Sequence, residues 1–163
     1  MSELGSASTI TAAIVFMGAM IHAMYTDLTQ ERIHNWTILA MLALFVPLAS
    51  TAGVGFNEIT LAFGTALVVF MAGFGCFAAG WLGGGDVKLA AAAALWLGPG
   101  AVIPFVLWTA ILGTMITLSI LALRRKRMLD AGLDYQRPDF LPYGPGIALA
   151  AIVIFPQSTW GLM

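Results

Sequence analysis

Long apolar runs broken by short polar or glycine-rich stretches set the pattern of this chain. A helix crosses a bilayer core with about 20 mostly apolar residues at ~1.5 Å each. On that measure six segments are read, at 8–25, 36–52, 59–81, 86–97, 101–123 and 145–160. A polar stretch from Thr26 to Asn35 separates the first from the second, and the turn Gly53-Val54-Gly55-Phe56-Asn57 joins the second and third as a hairpin. Gly83-Gly84-Gly85 and Asp86 lead into a short Ala-rich fourth helix, which ends at Gly98-Pro99-Gly100 because two glycines and a proline break helices. At ~18 Å that helix is expected to be partly shielded by its neighbours. The first run is too long, and too acidic at Glu3, for a cleaved signal peptide, so it is expected to stay in the mature protein. No low-complexity linker, second soluble domain or fixed-period repeat interrupts the pattern. Residues 1–163 are therefore read as one all-α, polytopic membrane domain of six transmembrane helices.

Composition agrees. Hydrophobic residues make up 60% and charged residues 9%, against about 25% charged in a soluble domain, so much of the surface faces something other than water. A net charge of −1, with the basic residues confined to three short stretches, offers no footprint for nucleic acid. Cys76 is the one cysteine, which excludes an intrachain disulfide and a paired-cysteine zinc site; within Phe74-Gly75-Cys76-Phe77 it reads as a small buried hydrophobe.

Basic residues in short loops are retained on the cytoplasmic side, and all seven fit one orientation. Arg32 follows helix one, Lys88 adjoins the glycine run after helix three, and Arg124, Arg125, Lys126, Arg127 and Arg137 follow helix five. Those loops are expected in the cytoplasm and both termini outside, and the pattern favours six crossings over five. The run from Arg124 to Arg127 reads as a topology anchor, with acidic lipid headgroups as the alternative.

Two carboxylates stand out, because an ionised group near hydrocarbon needs solvation or a partner. Asp27 follows helix one and Asp86 follows three glycines, which places both at the same membrane boundary. Two carboxylates that share a site do not both ionise easily, so one serves as acid and its partner as base, the chemistry of an aspartic protease. The glycines leave backbone open to an extended substrate, as cutting a peptide bond within a helix requires unwinding it. Taken singly, Asp86 also reads as a helix cap and Asp27 as a solvated loop residue.

Gly83-Gly84-Gly85-Asp86 resembles the GxGD signature of intramembrane aspartic proteases, and its continuation Val87-Lys88-Leu89 resembles the prepilin peptidase branch. Asp27, followed by Ile33-His34-Asn35, is similar to that family's D-x5-I-P-N loop, and Leu141-Pro142-Tyr143-Gly144-Pro145 looks like its P-Y-G-P entry to the last helix. The small size, without an N-terminal cysteine-rich methyltransferase region, points to the peptidases of Tad (Flp) pilus systems. The resemblance implies a GxGD-type helical bundle in the bacterial inner membrane that cuts the basic leader from prepilins at the cytoplasmic face. Asp27 and Asp86 would be catalytic, and Gly83, Gly84, Gly85, Lys88, Asn35, Pro142, Tyr143 and Gly144 would shape the site or bind substrate. Neither metal nor organic cofactor is implied; the partners are the prepilin, membrane lipids and the pilus assembly machinery. His34 departs from the pattern by replacing the family's proline, which implies a less rigid loop. His22 and Lys88 are expected to support the site, His22 by packing with a polar partner.

Other classes fit parts of the pattern. A small transporter or channel subunit uses membrane carboxylates to relay protons or bind cations, but needs a path to both faces. A non-catalytic subunit of a secretion assembly needs the aspartates only as caps. Presenilin-like and signal-peptide-peptidase-like proteases share GxGD but usually have more spans and place the first aspartate within a helix.

Overall fold

The computed structural model describes residues 2–132, 143–158 and 160. Six α-helices follow in order, α1 (Ser2–Gln30), α2 (Asn35–Ala52), α3 (Phe56–Ala78), α4 (Gly84–Leu97), α5 (Pro99–Asp130) and α6 (Gly144–Ile154), and a 3-10 turn at Phe155–Gln157 continues α6. Among the described residues there is no strand. α1, α2, α3 and α5 are long and apolar enough to cross a membrane. The chain is a polytopic helical membrane protein.

Two helices run past their expected ends for local reasons. α1 continues through the polar stretch after Tyr25, where the hydroxyls of Thr26 and Thr29 are satisfied within the helix by the carbonyls of Ala23 and Tyr25, at 3.1 and 2.7 Å. Asp27 therefore lies within the last turns of α1, not in the loop beyond it. α5 continues through Arg124–Arg127, made of good helix formers, until Gly132 adopts φ +70. The basic cluster is on a helix, not in a loop. Arg137 lies outside the described residues.

The layering is set by length. The two short helices, α4 and α6, are buried among the long ones, with Ala92 to Leu97 and almost all of α6 closed off. α3, by contrast, buries only Ala62 and turns Leu61, Leu67, Val68, Met71 and Phe74 outward. That face suits lipid, where apolar exposure costs nothing. Cys76 is half-buried on the same helix, so it is not the core residue its neighbours suggested.

The core is an aromatic cluster at the C-terminal end of α4. Trp96 donates its indole N–H to the Met41 carbonyl of α2 (3.1 Å), and Trp160 donates to the carbonyl of Trp96 itself (2.8 Å). The two indoles stack at 5.3 Å, with Phe16 and Phe45 on either side. α2 and α3 do not pack as the expected hairpin. They meet through Phe45 and Phe63, whose rings are 5.8 Å apart; otherwise α2 packs mainly on α1 and α3 mainly on α4. α6 is wedged between α1 and α5.

Candidate active site

Asp27 on α1 and Asp86 in the first turn of α4 are brought into one buried site, with 7% and 6% of their surfaces exposed and each within the field of the other. The backbone amide of Gly144, the first residue of α6, faces both carboxyl groups. Three helices thus meet at the pair. The Gly83 N–H donates to Asp86 Oδ2 at 3.3 Å, so Asp86 also caps its helix as its position suggested. Asp27 Oδ2 is buried with no hydrogen-bond partner among the described residues. An unpartnered buried carboxylate oxygen beside a second carboxylate is a place for water and for a polar group of a substrate, and one proton shared by the two makes an acid and a base.

Close packing holds this arrangement. A Cβ on Gly144 would lie 2.6 Å from Asp27 Oδ2, so only glycine lets α6 begin there. Two residues on, a Cβ on Gly146 would overlap the backbone of Gly113 in α5, which locks α6 against α5. Tyr143 lies over Gly113 at the entry to α6. Pro142 lies outside the described residues.

The glycine run packs against the protein's own groups. A Cβ on Gly85 would come within 3.3 Å of Ile33, one on Gly83 within 3.1 Å of Asp86 Oδ2, and one on Gly84 within 3.5 Å of the Phe77 ring. The sequence suggested backbone left open for a substrate; here the missing side chains at Gly85 and Gly83 make room for Ile33 and the carboxylate, and Phe77 lies at ordinary contact distance from Gly84. Lys88 Nζ donates to Asn35 Oδ1 at 3.1 Å. Ile33 over Gly85 and Asn35 against Lys88 therefore tie the segment after Asp27 to the segment around Asp86. His22 meets Thr37 at 2.9 Å, the polar partner expected of it. His34 is exposed just before α2, with φ −71 and ψ 128.

An apolar groove of about 580 Å³ opens beside the site between α2, α3 and α4, lined by Leu39, Leu42, Leu67 and Phe70, with Asn35 and Lys88 at its polar end.

Sequence reasoning missed Gly113, Gly146 and Glu31. A glycine inside an apolar helix signals close approach of a neighbour, and Gly113 carries that signal. Glu31, an acid one turn beyond Asp27, forms an ion pair with Arg124.

No curated protein and no solved structure matches the chain. The model of the Type IV leader peptidase family matches residues 14–118, well over half of the chain and a span that holds both aspartates, and the chain belongs to that family.

Proposed function

We propose that this peptidase is a membrane-embedded aspartic endopeptidase that removes the basic leader of Flp/Tad-type prepilins at the cytoplasmic face of the bacterial inner membrane. The observation that carries this reading is the burial of Asp27 and Asp86 in one site beneath the Gly144 amide. The ionised carboxylate takes a proton from a water held between the pair, and the water oxygen attacks the scissile carbonyl carbon. The protonated carboxyl donates to the carbonyl oxygen, and the tetrahedral intermediate then collapses as the leaving nitrogen gains a proton. The route uses neither a metal nor an organic cofactor.

The substrate has a cytoplasmic leader and an apolar helix, joined at the cut. The groove beside Lys88 offers that helix an apolar wall with one end near Asp86. The basic residues agree with the sidedness, since Lys88 and Arg124 contact Asn35 and Glu31 at the same end of the bundle as the aspartates. With that end in the cytoplasm, both termini lie outside.

Co-expression with a Flp-type prepilin, read as a gel shift, tests the reading. Membranes carrying the protein should shorten the prepilin; a prepilin left at full length beside well-expressed protein would contradict it.

A further inference from the structure

Resting on the peptidase reading, we propose that Glu31 binds the positive charge of the leader, leaving Arg124 to do so, and thereby makes a basic residue near the cut a specificity determinant. Glu31 closes α1: its amide donates to the Asp27 carbonyl at 3.1 Å, and its φ of +53 is a left-handed conformation that glycine adopts more easily. The turn sends its carboxylate to α5, where Oε1 meets Arg124 Nη1 at 2.7 Å. Among the described residues this is the one ion pair. α1 and α5 have almost no other contact, because α6 lies between them, so the pair spans the start of α6, where Gly144 faces both aspartates.

Its position and exposure make the pair exchangeable. Glu31 is 65% exposed and Arg124 39%, and an ion pair in contact with water is weak and easily traded for another. Glu31 is close enough to Asp27 to act on its charge, so a cation bound to Glu31 lies beside the reacting bond. Arg124 is followed by Arg125, Lys126 and Arg127, which repel an approaching basic segment. An anion at Glu31, beside the catalytic pair, gives that segment a place to settle.

The test uses the full-length protein in membranes, a Flp-type prepilin, and the same prepilin with glutamine for the basic leader residue nearest the cut. Wild type should show a lower KM for the basic leader. Glu31→Gln should raise that KM by about threefold to fivefold and leave the KM for the glutamine leader alone. Glu31→Asp, which keeps the charge, should restore most of the preference, and Arg124→Gln should not raise the KM. If Arg124→Gln reproduces the loss, the pair merely holds α5 and the inference is overturned. Equal KM for both leaders with wild type overturns the inference alone. Cleavage of neither leader by wild type overturns the peptidase reading, and this inference with it.

Discussion

Gly144 packs so closely on Asp27 that a methyl group at Gly144 would sit 2.6 Å from Oδ2 and 3.2 Å from Cβ of the aspartate. Rotating the carboxylate does not clear the second contact, so α1 or α6 must shift. Gly144→Ala should therefore lower cleavage on the order of a hundredfold, since a displacement near 1 Å in a catalytic group costs about that much. A cleavage time course at matched membrane abundance checks it; near wild-type rates would show that the contact does not position Asp27.

Gly146 has a different consequence. Its missing side chain lets α6 lie on the Gly113 backbone, and the atoms a Cβ there would meet belong to α5 and not to the carboxylates. Gly146→Ala should destabilise by about 1–3 kcal/mol through overpacking, read as a lower melting temperature in detergent. An unchanged melting temperature would mean that α5 and α6 separate without cost.

Trp96 tests the core apart from the site. Its ring is fully buried, stacks on Trp160 and reaches Met41. Trp96→Ala should cost about 3–5 kcal/mol, seen as loss of thermal stability, with the protein that remains folded still cutting. A stable but inactive variant would place Trp96 in catalysis.

Much of this architecture was legible in the sequence, and the misses have physical causes. All six helices and both aspartates followed from apolar run length and from the expense of charge near lipid. The end of α1 did not, because Thr26 and Thr29 look like loop residues until their hydroxyls bond their own helix. The shortness of the loop between α2 and α3 suggested a packed hairpin, but α2 packs mainly on α1 and α3 mainly on α4. The glycine run reads as substrate-facing in the sequence, which does not say which neighbour fills the space at Gly85; it is Ile33. The contact of Gly144 with Asp27 joins residues more than a hundred positions apart, and only the path of α6 reveals it.

His34 provides a gain-of-stability prediction. Its φ of −71 already matches proline, Ile33 before it is outside the helices, and no described residue accepts a bond from its amide. The backbone thus keeps the proline conformation without the proline. His34→Pro should stabilise by about 0.4–1 kcal/mol through the unfolded chain, with cleavage retained. A lower melting temperature would show that the histidine ring, 6.1 Å from that of His22, contributes more than the ring closure gains.

The most direct test of the paired-aspartate account is cleavage of a co-expressed Flp-type prepilin by wild type, Asp27→Asn and Asp86→Asn at equal membrane abundance. Asparagine keeps the size of each side chain but does not serve as acid or base, so each variant alone should lose about a hundredfold or more of the rate. Efficient cleavage by either variant would contradict the shared catalytic role of Asp27 and Asp86.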